Sequence, residues 1–414
     1  GDKSMSHRAV MFGALADGNT QVSGLLEGMD VLATIAAFRA MGVDIVGPDD
    51  GVVVIHGVGM RGLRAPSAPL DLGNSGTSMR LLSGLLAGQA FDVEVVGDDS
   101  LMSRPMRRVT EPLTQMGAQI GTTGKGTAPL KIRGGHTLQG ISYDMPVASA
   151  QVKSCLLLAG LYAGGRTCVQ EPAPTRDHTE RMLAGMGYPV SSQDGKVCLE
   201  GGGRLSAIPI DVPADISSAA FFLVGASIAP GSDLLIEHVG VNPTRTGVLE
   251  ILRLMGADIE VHHQHEVGGE PVADLRVRYA PLRGIEIPLA QVPLAIDEFP
   301  VLFVAAACAQ GRTLLTGAEE LRVKESDRIQ VMADGLQALG IEAEPTEDGM
   351  IIEGGRIGSG RVDSWGDHRI AMSFAMAALR AQGPISIDDC ANVSTSFPGF
   401  VELASAVGLS ITTE

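Results

Sequence analysis

Five ionisable side chains crowd into seven positions at Arg322-Val-Lys-Glu-Ser-Asp-Arg328. An apolar stretch, Thr313 to Thr316, precedes them, and Ile329, Met332, Leu336 and Leu339 follow at helical spacing. The pattern predicts a strand, a short turn and the N-terminal end of a helix. Lys324 and Arg328, four residues apart, would then share a face with Glu325 beside them. Two cations and a carboxylate at the positive end of a helix suit an anion whose reaction also needs a proton moved. A solvated, salt-bridged helix start has the same composition, and the stretch taken by itself favours that plainer reading.

Composition limits what such a site could serve. The chain has 414 residues, enough for two or more domains with ample cores. A hydrophobic content of 45% with 53 glycines indicates a compact fold rich in tight turns. The formal net charge of −17 argues against nucleic acid, and 4% aromatic residues leave little to stack on bases. An acidic chain can still bind small anions where its few cations converge. Cys155, Cys168, Cys198, Cys308 and Cys390 are odd in number and widely spaced. They read as reduced thiols of a cytosolic protein, not as a disulfide frame or a zinc site. Uncharged apolar runs such as Ala219 to Pro230 are too short to span a bilayer, and no signal peptide opens the sequence.

The elements that must position the charges form a repeat. A polar cluster, an apolar run, a glycine and a strand-like stretch recur six times, with the glycines at 18, 88, 165, 231, 311 and 383. A second helix follows in each copy and ends in a hydrophobic residue and a glycine: Met41-Gly42, Met116-Gly117, Met186-Gly187, Met255-Gly256, Leu339-Gly340 and Val407-Gly408. Glycine is the usual helix stop because it adopts the left-handed conformation freely. Strand-like runs such as Val52 to Ile55 and Leu275 to Tyr279 fill the intervals. Each copy reads as a βαβαββ unit, and six of them suit two α/β domains of three units each, 1–213 and 214–414, with a short hinge near Pro213.

First helices of the units are expected to start at Lys3 to Arg8, Gly73 to Thr77, Ser149 to Gln151, Asp215 to Ser218, Asp297-Glu298 and Gly366 to Arg369. Second helices are expected near Arg104, near Arg176-Asp177-His178, and across Lys324 to Arg328. Serine or asparagine at these ends can simply be an N-cap; the recurring arginine and lysine are not explained that way. Helix ends of two three-unit domains could gather Lys3, Arg8, Arg104, Arg176, Lys324, Arg328 and Arg369 around small anions.

Four motifs carry a resemblance: Gly1-Asp-Lys-Ser-Met-Ser-His-Arg8, Leu72-Gly-Asn-Ser-Gly-Thr-Ser-Met-Arg80, Leu321 to Arg328 and Gly366-Asp-His-Arg369. With these the chain resembles the enolpyruvyl transferase family, on the branch that acts on shikimate 3-phosphate, from its first residue to Ser396-Phe-Pro398. The resemblance implies a two-domain inside-out α/β barrel of six βαβαββ repeats and a site between the domains that closes on substrate. It implies transfer of the enolpyruvyl group of phosphoenolpyruvate to the 5-hydroxyl of shikimate 3-phosphate, in a cytoplasmic monomer with no metal, cofactor, nucleic acid or membrane partner. Residue by residue, it implies that Lys3, Ser4, Arg8, Ser149, Ala150, Gln151, Arg176, Asp297 and Lys324 hold shikimate 3-phosphate. Phosphoenolpyruvate would be held by Lys3, Gly76, Arg104, Gln151, Arg328 and Arg369. Asp297 would accept the proton of the attacking hydroxyl and Glu325 would protonate the methylene carbon, with Lys3 completing the catalytic set.

The residue types suit that chemistry. Phosphoenolpyruvate has a carboxylate and a phosphate, which arginine recognises bidentately. Making its alkene electrophilic requires a proton at carbon while the hydroxyl loses one, so two carboxylates take opposed tasks. Some positions depart from the better-known branch. Leu81 stands where proline is common, Thr395 where a lysine precedes the final Phe-Pro, and a tyrosine of the shikimate pocket is missing. Ala150 and Thr175-Arg-Asp-His-Thr179 look like a second bacterial class. Inhibitor (glyphosate) sensitivity therefore does not follow from the motifs. Family members also carry a strand ahead of the Lys3 motif that is absent here; a trimmed chain would lack one strand of its second domain.

Other signals carry less. Gly57-Val-Gly-Met-Arg-Gly62 follows a strand, but Pro66 and Pro69 leave no helix to receive a pyrophosphate. Gly124-Lys-Gly-Thr127 lacks P-loop spacing. His262, His263 and His265 read as a solvent-facing turn between strands, and Cys155 and Cys308 as packed thiols. A sister enzyme acting on UDP-N-acetylglucosamine shares the expected fold, but its mobile-loop cysteine has no counterpart in residues 90–125. A non-catalytic anion-binding scaffold is the other alternative, and intact Asp297 and Glu325 speak against it. Arg322 and Asp327 are expected to be structural.

Overall fold

Helices that are apolar nearly all round have to sit inside a domain. Six helices are of this kind: Lys3–Leu15, Gly76–Ala87, Ala150–Gly160, Ile216–Ile228, Phe299–Cys308 and His368–Ala377. In the computed structural model, which describes residues 1–413, they are buried along almost their whole length. Each is the first helix of one predicted unit. At their starts Asp2, Ser75, Ser149, Asp215 and Asp367 each cap a first turn by accepting a backbone N–H.

The chain packs as two units, Gly1–Val212 with Glu266–Glu270, and Pro213–His265 with the residues from Pro271 on. The first unit has three four-stranded sheets built on one plan. Asp17–Ser23 lies between Ile210–Asp211, to which it is parallel, and Val52–Val58, to which it is antiparallel, with Asp44–Asp49 outermost. Leu70–Asp71, Val93–Val96, Leu130–Arg133 and Gln119–Gly121 repeat that order. So do Ser142–Asp144, Arg166–Gln170, Lys196–Glu200 and Val190–Gln193. The parallel strand of the first repeat therefore comes from the end of the unit rather than from ahead of Lys3.

Strand faces alternate: Val53 and Ile55, Leu130 and Ile132, Val197 and Leu199 point into the core. Helices lie within and sheets flank them, the inside-out arrangement of an α/β fold. Helices Gly76–Ala87 and Ala150–Gly160 approach so closely that a Cβ on Gly84 would stand 2.0 Å from the Cys155 carbonyl oxygen. Only glycine fits there.

In the second unit the three buried helices pack on one another, and its first two sheets are three-stranded. In each, an isolated parallel bridge, Ala214 with Val239 and Glu286 with Leu314, stands where the fourth strand would be. The sixth sheet has two parallel strands, Gly360–Asp363 and Ile385–Asp388. The six glycines after the second helices all have left-handed backbones, with φ from 81° at Gly340 to 107° at Gly408.

Three expectations need correction. Lys324 and Arg328 do not share a helix face. A 3-10 turn, Glu319–Val323, precedes them and the helix begins only at Arg328. The Asp327 side chain sets that start by accepting from the Gln330 N–H at 3.0 Å, which leaves Lys324, Glu325 and Ser326 in the connecting loop. Second, Cys168 and Cys198 form a disulfide. Antiparallel register sets them directly opposite on Arg166–Gln170 and Lys196–Glu200, with Cα atoms 4.1 Å apart. A cross-strand pairing of this sort leaves no spacing motif in the sequence. Third, His262, His263 and His265 are exposed, but within the strand Asp258–Val267 rather than a turn. His262 and His263 are paired with Glu260 and Asp274.

One ion pair locks the second unit. Arg328, 1% exposed, opens helix Arg328–Ala338, and its Nε donates to Asp367 Oδ2 at 2.8 Å. Asp367 in turn caps helix His368–Ala377 through the Arg369 N–H. Burial alone would raise the Asp367 carboxyl, but the Arg328 guanidinium outweighs it and holds the group below the ordinary aspartate range.

A folded pKa below the unfolded one gives stability that is complete above about pH 3.9 and is lost as pH falls through the folded value. Asp367→Asn should cost about 3–5 kcal/mol in chemical denaturation at neutral pH, because it removes the fully buried carboxylate from a buried ion pair; the deficit should shrink on acidification through that window. For the disulfide, thiol titration in denaturant without reductant should find Cys155, Cys308 and Cys390 reactive, and all five cysteines after reduction.

Candidate active site

In the first unit the candidate residues lie at starts of helices and in the loops before them. Lys3 is the first residue of its helix, and its ammonium pairs with Asp30, in the first turn of helix Met29–Ala40. Five residues on, Arg8 is 3% exposed. Its guanidinium donates to Thr179 Oγ1 at 2.7 Å, Ser154 Oγ at 2.8 Å and the Ser4 carbonyl at 2.9 Å. Burial lowers its pKa to about 10, with Glu180 the main charge opposing the shift, so the group stays protonated at neutral pH. Ser4 Oγ lies 3.5 Å from Nη1 of Arg176, in the loop before helix His178–Gly185. Lys3, Ser4, Arg8 and Arg176 are thus close neighbours.

A second cluster surrounds Gly76. This residue begins its helix, and a Cβ on it would stand 3.0 Å from Nη1 of Arg104 and 3.4 Å from Nη1 of Arg80. Arg104 is held by Asn74 Oδ1 at 2.7 Å and Ser100 Oγ at 3.3 Å. Gln151 receives Arg80 at 2.5 Å on its oxygen and gives its amide N–H to Thr77 Oγ1 at 3.0 Å. Ser149 is the N-cap of helix Ala150–Gly160, accepting from the Val152 N–H, so Ser149, Ala150 and Gln151 stand together at one helix start. Two guanidinium groups, a helix end and a carboxamide at one glycine make a cradle for a small anion.

The second unit holds a different chemistry. Asp297 Oδ1 is 3.4 Å from Lys324 Nζ and 3.4 Å from Arg328 Nη1. Arg328 Nη2 donates to Glu325 Oε2 at 2.6 Å. One guanidinium therefore carries Asp297, Glu325 and Asp367. Burial opposes its charge, yet Asp367, Glu325 and Asp297 together raise its pKa above the ordinary arginine value. Lys324 is also held by Glu320 at 2.7 Å. Arg369 donates to the Asp297 backbone carbonyl at 3.0 Å and lies 3.8 Å from Glu298 Oε1. Asp297 is 15% and Glu325 31% exposed, so each keeps contact with solvent while anchored. Two anchored carboxylates on one cation can divide the roles of acid and base.

Every predicted residue falls into one of these sets. Sequence reasoning missed Asp30, Arg80 and Asp367, which hold Lys3, Gln151 and Arg328 in place; Arg80 and Asp367 stand in the quoted motifs without an assigned task. Arg322 bonds Asp327 at 2.7 Å and the Glu347 carbonyl at 2.8 Å, a loop brace. Thr395 bonds the Asn392 carbonyl at 2.7 Å. Among the described residues no cluster of His, Cys, Asp and Glu is arranged to hold a metal ion, and no helix is long and apolar enough to cross a membrane. A cavity of about 350 Å³ in the second unit, lined by Phe222, Met376, Leu379 and Val407 among others, is bordered by none of the candidate residues.

Known proteins resemble this chain in sequence and fold. The family model described as EPSP synthase (3-phosphoshikimate 1-carboxyvinyltransferase) matches residues 1–403. The 3-phosphoshikimate 1-carboxyvinyltransferase of Methylococcus capsulatus is 72% identical over 411 residues, covering 99% of this chain and 94% of that protein. The protein of the same name from Alkalilimnicola ehrlichii is 72% identical over 413 residues, covering 100% of this chain and 93% of the relative. A solved EPSP synthase structure from Acinetobacter baumannii superposes with a TM-score of 0.91 at 61% identity, covering 100% of this chain and 95% of that one. With a match running through all the helix starts that carry the charged residues, the chain belongs to the EPSP synthase family, the 3-phosphoshikimate 1-carboxyvinyltransferases.

Proposed function

We propose that this chain transfers the enolpyruvyl group of phosphoenolpyruvate to the 5-hydroxyl of shikimate 3-phosphate, releasing phosphate, as a step of the shikimate pathway to aromatic amino acids. The observation that carries the assignment of roles is the pair Asp297 and Glu325 on the single buried guanidinium of Arg328, with Lys324 on Asp297. Family membership supports the reaction, and this geometry supports reading the two carboxylates as its acid and base.

Arg8, Arg176, Ser149, Ala150, Gln151, Ser4 and Lys3 take shikimate 3-phosphate, with Asp297 and Lys324 at its hydroxyls. Phosphoenolpyruvate goes to Arg104, Gly76, Gln151, Lys3, Arg328 and Arg369, where guanidinium groups match both its carboxylate and its phosphate. Glu325 gives a proton to the methylene carbon, which makes the adjacent carbon electrophilic. The hydroxyl attacks that carbon as Asp297 removes its proton. Loss of phosphate with return of a proton from the methyl carbon restores the alkene. Lys3 and Lys324 offset the charge that develops on the oxygens.

Glu325 has to be protonated for the first step, although Arg328 at 2.6 Å favours its charged form. An anionic substrate that engages Arg328 would compete with Glu325 for that guanidinium. The same reading makes the protein a cytoplasmic monomer of two three-repeat domains, 1–213 and 214–414, acting on small molecules alone.

Phosphate release from phosphoenolpyruvate should be strong with shikimate 3-phosphate and absent with UDP-N-acetylglucosamine; release with the UDP-sugar alone, or with neither acceptor, rejects the proposal. Glu325→Gln should lower kcat by about 10²–10⁴-fold, the usual worth of a positioned general acid, and an undiminished kcat would remove Glu325 from its role.

A further inference from the structure

Lys153 lies in the Leu- and Ala-rich helix Ala150–Gly160 and is 1% exposed. An ammonium so placed has lost its water and needs compensating charge. It has two carboxylates: Glu171 Oε1 at 3.1 Å and Glu180 Oε1 at 2.7 Å. Glu171 follows the strand Arg166–Gln170, and Glu180 stands in the first turn of His178–Gly185. Lys153 therefore ties down both ends of the segment that carries Arg176. Thr175, next to Arg176, also donates to Glu171.

Arg8 touches the same two helices one residue away on each. Its partners Ser154 and Thr179 neighbour Lys153 and Glu180 in sequence, and their hydroxyls are 2.7 Å apart. The hydrogen bonds of Arg8 run to hydroxyls and a carbonyl, not to a carboxylate. Glu180 is nonetheless near enough to be the strongest favourable charge acting on Arg8. Its Oε2 is buried and makes no hydrogen bond among the described residues, while Oε1 is engaged by Lys153. A carboxylate with a spare oxygen beside a guanidinium that has only neutral partners would ordinarily turn and pair with it.

We propose that Lys153 is a positioning residue for recognition of the acceptor's phosphate. It holds Glu180 off Arg8, so that the Arg8 charge is left for a phosphate dianion, and it fixes the loop that presents Arg176. The inference rests on the assignment of Arg8 and Arg176 to shikimate 3-phosphate. Without Lys153, Glu180 would pair with Arg8 and compete with the phosphate.

Binding of shikimate 3-phosphate by calorimetry, with turnover in parallel, tests this. Lys153→Met should weaken shikimate 3-phosphate binding and raise its KM by about tenfold, the scale of one competing charge-assisted bond, while kcat and the KM for phosphoenolpyruvate stay within about twofold. Adding Glu180→Gln should bring the acceptor affinity back to within about threefold of wild type. If both KM values rise together, or the second substitution restores nothing, the role is structural and the proposal falls. Should Lys153→Met fail to fold, Glu180→Gln alone decides: acceptor affinity equal to or better than wild type supports the proposal, and a clear loss overturns it. Wild-type binding without turnover would refute the proposed reaction and leave this inference standing; absence of wild-type binding would remove both.

Discussion

The guanidinium of Arg328 is 1% exposed, and three carboxylates compensate its charge. Stripping the water from such an ion costs several kcal/mol, and its partners repay that only when geometry is fixed on every side. Fixing it is what the second unit does. Asp367 comes from the cap of one buried helix, Asp297 from the approach to another, and Glu325 from the loop ahead of Arg328 itself. Three elements distant in sequence are held in register by one charge. The two carboxylates proposed to move protons are therefore fastened to the core through the cation they share.

The first unit solves a different problem. Among its cations, Arg8 donates to two hydroxyls and a carbonyl. Neutral partners orient a guanidinium without cancelling its charge, which suits groups meant to meet phosphate or carboxylate. Asp30 pairs with Lys3, and Glu180 with Lys153. A chain with a net charge of −17 can thus keep a concentrated positive field where it is needed.

The repeat was readable because its signals are local. An apolar run is buried wherever it falls, and a glycine stop works through its own φ, so helix starts, helix ends and most strands follow from short windows. Candidate residues were named from the same windows, with the roles that the resemblance implies. What could not be read depends on contacts between distant segments. Cys168 meets Cys198 only through strand register. Asp367 reaches Arg328 across 39 positions. The start of helix Arg328–Ala338 was misjudged because charge density suggested a helix at Lys324, whereas Asp327 as cap decided the matter.

The six left-handed glycines after the second helices have a consequence for the repeat. The six units differ in their sheets, from four strands to two. Their punctuation is shared. A side chain at any of these stops would strain the backbone in that copy, whatever the other five contain. The repeat is thus marked most plainly where chain geometry, rather than chemistry, dictates the residue.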